Sequence, residues 1–404
     1  MPLLADFSQF QGLHWETGSL RNYLAYKEIL APHTNQPYTE AMLLGISGGI
    51  TMGYFTFDYE GYDPMVRILT RNTFDPLNTI YQRLDIKTSV IQTSSEDKGV
   101  QHLVAELESG SPAIVVADVY SLPYNALDIE EGMWAMLPIL VYGYDPELDQ
   151  VWISDRSRSQ LNVTTRELAA ARSRTKKNKY RLLVHEAPDP DRLSPAVVEG
   201  LQQCVDNFTQ PPPKGSKNNF GFLAYQKWIQ LLQKPNQRGS WMQEFPPGPR
   251  MYAGLTSAFE DIRLFGKDGG ADRYLYAAFL DEASDILSKP ELKEIAQQFT
   301  SSAKAWDALA DSLLPDEVPQ FKETRTLMLE NHQLFITHGS SALDEIKANK
   351  KRLVELKSSM AGDFPVDGSQ AKVMFNQIAD NVKAVQEIEH KAIEDLSKVI
   401  SYLV

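Results

Sequence analysis

In the stretch GLHWETGSLRNYLAY, residues 12–26, several groups able to do chemistry crowd the start of a helix. His14, Glu16, Thr17 and Ser19 precede or open the spacing Leu20, Tyr23, Leu24 and Tyr26, which predicts the helix. A helix N-terminus presents free amide NH groups and positive potential, and both favour a bound anion or an activated nucleophile. Acyl transfer through such a nucleophile needs a histidine on a facing strand and an acid or amide to orient it. The frame for this chemistry occurs in the right order: the helix start at 14–19, the apolar strand LPILVYGYD at 137–145, and the strand VWISD ending at Asp155. Its two central groups are missing. Trp15 sits at the helix start, and the strand opens on Leu137 and Pro138, with none of the seven histidines on it.

The other reactive residues have plainer readings. Thr17 and Ser19 read as caps of the helix, since a hydroxyl nucleophile needs a base that the strand lacks. His14 reads as a structural hydrogen-bonding group, and Asp155 as a residue that also closes a turn with Arg156 and Ser157. Cys204, the single cysteine, excludes an intramolecular disulfide and a thiolate cluster, and reads as a small buried apolar residue. The glycine-rich stretches GISGG (45–49) and GKDGG (266–270) lack the spacing of a phosphate-binding fingerprint and read as turns. Neither a metal site nor a cofactor is expected.

The elements that must position these residues fall into two kinds. The helical patterns SLRNYLAYKEIL and YTEAMLLGI are mixed with the strand patterns GYFTFDY, IKTSVIQ, PAIVVADVY, LPILVYGYD, QVWISD and YRLLVHE up to about residue 187, which predicts an α+β domain over 1–187. EAPDPDRLSP and TQPPPKGSKNN mark boundaries. Between them a connecting helix is expected to start with Ser194 as its cap and Pro195 at its first position, so that 188–214 forms the link. From 215 to 404 apolar residues recur three and four apart, predicting an all-α helical bundle. Ile378, Val382, Val385, Ile388, Leu396, Ile400 and Leu403 stripe the last helix, a pattern that suits bundle packing or a homodimer seam.

Charge narrows the partners. With 43% hydrophobic and 23% charged residues the chain falls in the ordinary globular class, and its net charge of -13 argues against nucleic-acid binding. No secretory leader or apolar run long enough to span a bilayer is present, so no membrane partner is expected and the cytoplasm is the default address. ARSRTKKNKYR (171–181) is the dense basic stretch of an acidic chain. It reads as a solvated helix end, with Arg172, Arg174, Lys176 and Lys177 as the charges available to an acidic partner.

The ordered words GLHWETGSLRNYLAY, YTEAMLLGISGGITMGYF, FDPLNTIYQRLDI, VADVYSLPY, ILVYGYD and VWISDRS resemble the N-terminal domain of the butirosin biosynthesis protein H family. NNFGFLAYQKW, FEDIRLFGKDGGADRYLYAAFLDEA and SSAKAWDALADSLL resemble the helical domain that follows it. The resemblance implies a papain-like cysteine-peptidase or acyltransferase-type fold, and transfer of acyl groups from carrier-protein thioesters to amines. It also implies a cysteine nucleophile where Trp15 stands, a catalytic histidine where Leu137 stands, and an orienting acid retained as Asp155. Tyr124, Gly269 and Gly270 fall in matching segments and are the ligand-binding candidates. Two functions follow as expectations. One is a catalytically degenerate binding or scaffold protein in a biosynthetic pathway, with an acyl carrier protein or pathway enzyme as partner. The other is an acyl or amide-forming transferase in secondary-metabolite biosynthesis that works through non-thiol groups such as His14, Glu16 or Asp155. Under either, Trp15 and Leu137 are expected to form a matched apolar pair, since changing both members of a buried polar pair strands neither.

Overall fold

A computed structural model describes residues 3–127, 133–211, 214–264 and 269–403. The chain is sheet-rich in its N-terminal half and mostly helical in its C-terminal half, as the α+β pattern predicts. It divides into two compact units that are not consecutive in sequence. The first comprises Met1–Leu43, Leu77–Leu193 and Glu330–Asn349; the second comprises Leu44–Pro76, Ser194–Leu329 and Lys350–Val404. This departs from the sequential division at 187 and 215. The apolar face of the hairpin in Leu44–Pro76 is buried by helices from the C-terminal half, so the second unit is not all-α, and Glu330–Asn349 returns to the first.

The first unit is built on a six-stranded antiparallel sheet in the order Thr88–Ile91, Leu182–His185, Ala113–Asp118, Met136–Asp145, Gln150–Ser154 and Leu161–Val163. Ala113–Asp118 is buried at every position, as its unbroken apolar run requires. The opening helix, Trp15–Tyr26, packs across Met136–Asp145 and buries residues on most of its circumference. It starts two to four residues before the caps assigned to Thr17 and Ser19. His14 is the N-cap, while Thr17 and Ser19 lie buried inside the helix. The cap comes from elsewhere: Glu40 accepts from the backbone NH of Leu13 at 2.7 Å, that of His14 at 2.8 Å, and the Thr17 hydroxyl at 2.9 Å. Gly12 and Gly18 meet backbone to backbone, and a Cβ on Gly18 would lie 2.9 Å from the Gly12 Cα.

In the second unit the hairpin Ile50–Phe57 and Met65–Arg71 packs one face on helices Gly221–Gln233 and Pro249–Arg263. The outer edge of its second strand is closed by side chains. Ser257 accepts from the Val66 NH at 3.0 Å and Asp261 from the Ile68 NH at 2.7 Å, so these edge amides are not open to another strand. The last helix, Gly368–Ile400, buries Ile378, Val382, Val385, Leu396 and Ile400 against helices Gly221–Gln233 and Glu291–Leu313. These five members of the apolar stripe serve packing inside the chain, while Ile388 and Leu403 are only half-buried. The connecting helix spans Leu193–Thr209, so Ser194 lies within it rather than capping it; Asp189 caps the preceding turn Pro190–Arg192. Cys204 is buried, and burial pushes its thiol up to about 12. Among the described residues no helix is long and apolar enough to cross a membrane, and no cluster could hold a metal ion.

His185 ends an inner strand of the sheet. Its Nε2 lies 2.6 Å from the Tyr81 hydroxyl, Tyr23 donates to its carbonyl at 3.2 Å, and burial lowers its pKa to about 4. The unfolded chain then takes up a proton near pH 6.5 that the folded chain refuses until about pH 4. Stability is therefore expected to fall as pH drops through that window, by up to about 3 kcal/mol from this group. Denaturant titrations of His185→Gln between pH 7.5 and 4 are expected to show a flatter pH dependence than the parent. Equal slopes would remove His185 as the source.

Candidate functional site

The positions singled out in the N-terminal half converge at the start of the opening helix. Trp15 is its first residue and Glu16 its second; Asp155 follows the strand Gln150–Ser154, which Asn22 ties to the helix through a 3.1 Å hydrogen bond to the Ser154 hydroxyl. Leu137 lies near the start of Met136–Asp145, paired with Ala117, and the next residue, Pro138, accepts from the Ser19 hydroxyl at 3.4 Å. Local packing thus brings the helix start, the strand Met136–Asp145 and the end of Gln150–Ser154 together.

Trp15 is paired with a cation. The Arg156 guanidinium carbon lies 3.9 Å from the centroid of the indole and 5.0 Å from that of Phe335, so Arg156 contacts both rings. The indole NH of Trp15 is buried without a hydrogen-bond partner. Trp15 is therefore not the simple apolar partner of Leu137 expected from the sequence: its ring face is taken by Arg156 and its NH meets no acceptor. Phe335 belongs to Glu330–Asn349, the segment that the helical half contributes to this unit, and carries no local signal that would place it here. Nearby, Ile336 accepts from the Arg158 backbone NH at 2.7 Å and from the Ser157 hydroxyl at 3.3 Å.

Asp155 is buried and occupied. Its Oδ2 accepts from the Tyr124 hydroxyl at 3.1 Å and its Oδ1 from Arg156 Nε at 3.2 Å. Burial raises its pKa and the Glu16 carboxylate adds to the rise, against the lowering effect of Arg156 and Tyr124. Arg156 is held in a left-handed conformation, φ 33°, and also donates to Asn125. The turn through Asp155, Arg156 and Ser157 is present, closed by the Ser157 NH on the Asp155 carbonyl. Burial, with the Asp155 charge beside it, pushes the Tyr124 hydroxyl well up, so this residue anchors Asp155 rather than presenting a free surface. His14 is buried with Nδ1 3.2 Å from the Thr17 hydroxyl and 3.8 Å from Glu40.

The remaining candidates lie elsewhere. Gly269 and Gly270 belong to the second unit, where the Gly270 NH donates to Asp307 at 2.7 Å and both glycines have positive φ, 82° and 61°. They form a turn against helix Glu291–Leu313; residues 266–268 of GKDGG lie outside the described residues. The basic run is not one free patch. Arg172 is buried, donating to the carbonyls of Gly99 and Tyr180, and Arg174 reaches the Met133 carbonyl and lies 3.7 Å from Asp118. Lys176 and Lys177 remain exposed.

Removing Arg156 should strand Asp155. Arg156→Leu is expected to cost about 3 to 5 kcal/mol near neutral pH, as loss of one partner of a buried pair does. The cost should shrink toward acid pH, because a carboxyl whose folded pKa is raised regains stability once protonated. Adding Asp155→Asn should recover much of the loss. Urea titrations at pH 7.5 and 5 would check this, and an undiminished cost at pH 5 would contradict it.

Residues 14–156 match the family model described as "Butirosin biosynthesis protein H, N-terminal", and residues 166–328 match "Domain of unknown function (DUF4872)". No curated protein matches the chain.

Proposed function

We propose that this chain, whose residues 14–156 form a butirosin biosynthesis protein H-like N-terminal domain, serves a biosynthetic pathway as a non-catalytic binding protein on a papain-like frame. The observation that carries this reading is the Arg156 stack. The place of the nucleophile holds an indole covered by a guanidinium, and the orienting acid is bonded to that guanidinium and to Tyr124. A thiol mechanism needs a thiolate and an imidazole, and positions 15 and 137 supply neither. An acyl carrier protein or a pathway enzyme is the proposed partner, with Lys176 and Lys177 as the exposed charges of the basic run that an acidic carrier would meet.

One observation favours the second reading, an acyl or amide-forming transferase without a thiol. Burial, and to a lesser degree the Glu16 carboxylate, raises the Asp155 pKa, which favours a carboxyl able to give and take a proton. Incubation of the full chain with acyl carrier-protein thioesters and amine acceptors, followed by mass spectrometry, separates the two. The binding reading expects no amide above the protein-free control. Turnover that disappears in Glu16→Gln would replace it with the second.

The frame itself has its own test. Trp15→Cys combined with Leu137→His is expected to give a thiol that iodoacetamide modifies faster near neutral pH than in Trp15→Cys alone, because a nearby imidazole favours the thiolate. Equal rates in folded proteins would mean that positions 15 and 137 do not face one groove.

A further inference from the structure

In the second unit, an open groove of about 980 Å³ runs between the start of the last helix and the corner at 314–319 that joins helices Glu291–Leu313 and Pro319–His338. Its apolar lining comes from Pro315, Val318, Val366, Val373 and Met374. Val373 is 70% exposed, a large apolar side chain directed away from the buried stripe of its own helix. With Gln370, Met374 and Gln377, it forms a row at i, i+3, i+4 and i+7, the surface on which another helix packs its own ridge. Two turns of helix, about 11 Å long and about 10 Å across, occupy a comparable volume.

Both walls are fixed in advance. Arg325 donates to the carbonyls of Leu314 at 3.0 Å and Asp311 at 3.4 Å and to the Asp316 carboxylate, which locks the corner. On the other side, Asp367 caps the last helix through the backbone NH groups of Ser369 and Gln370, and the Gln370 side chain returns to the Asp367 NH. A groove that does not have to be ordered on binding loses less free energy when filled. Its rim keeps a net negative charge: Arg325 is bonded to Asp316 and lies 3.7 Å from Asp311, Lys322 lies 3.9 Å from Asp316, and Glu317 is the third carboxylate of the lining.

We propose that this groove receives a short amphipathic helix of a partner protein, with leucine-like residues seated on Val373 and Met374 and a lysine or arginine meeting Glu317. The helical surface row suits a helical occupant, and the net negative rim at Glu317 suits a basic one. The site lies wholly within the second unit and is independent of the reading given to the Trp15 cluster.

The probe is a fluorescein-labelled peptide of about 14 residues made of leucine and lysine, with leucines at i, i+3, i+4 and i+7, titrated with the full chain and followed by anisotropy. Saturable binding that weakens with added salt is expected. Val373→Asp, at an exposed position that folding tolerates, is expected to lower the affinity about tenfold, or about 1.4 kcal/mol. Glu317→Lys should also weaken binding and reduce the salt dependence. Val354→Asp, at a valine 63% exposed on another helix, should change nothing. The proposal is overturned by a lack of saturable binding, by Val373→Asp matching the parent, or by equal binding of a peptide with alternating leucines or with glutamates for lysines.

Discussion

Arg273 and Glu389 meet at 2.6 Å in the second unit with neither side chain exposed, and six elements are tied together by that pair. Arg273 begins one helix and reaches the carbonyls of Thr51 and Thr70 on the two strands of the hairpin. Glu389, on the last helix, accepts from Tyr225, Ser302 and Trp306 on two more. Burial alone would push the Glu389 carboxyl up, but Arg273 outweighs it and holds the carboxyl below its usual range. Such a pair adds little over an apolar core as long as it is whole, whereas loss of one partner strands the other at about 3 to 5 kcal/mol. The pair also holds down strain: Ala271 and Asp272 both sit at positive φ just before Arg273, secured by Arg273 on the Ala271 carbonyl and by Thr70 on Asp272.

A comparable logic governs the start of the opening helix. The positive end of a helix attracts an anion, and here Glu40 fills that role from within the chain. Arg156 in turn lies over the Trp15 ring and bonds to Asp155, so both charged side chains are held by partners within the chain.

How much of this was legible depended on whether the cause was local. The last helix is readable because its apolar spacing and its burial share one period, and the strand before Asp155 is readable because a strand end is a local event. The start of the opening helix was misjudged because its cap comes from Glu40, far outside the window in which capping residues are sought. Tyr124 donates to Asp155 and the Glu16 charge acts on it, while the sequence around Arg156 signals only a turn and nothing in it signals the stack on Trp15. Phe335 carries no sequence signal for its place beside Arg156. It sits in a helix that looks like any other in the bundle, and only tertiary packing assigns it to the first unit. The grouping of the hairpin with the helices escaped for the same reason, since alternation announces a strand but not the surface that buries it.

The interleaving of the two units has a consequence for how the chain comes into being on the ribosome. Glu330–Asn349 completes the first unit, so its sheet must wait, partly uncovered, until most of the polypeptide has been translated. The hairpin made early, in turn, waits for helices that emerge much later, including the one that carries Glu389. Neither unit can finish as an autonomous nascent domain, and contacts this remote in sequence make folding slow and expose apolar surface in the interval. A gene cut at the apparent boundary near residue 190 would therefore encode two incomplete halves, each lacking a piece held by the other.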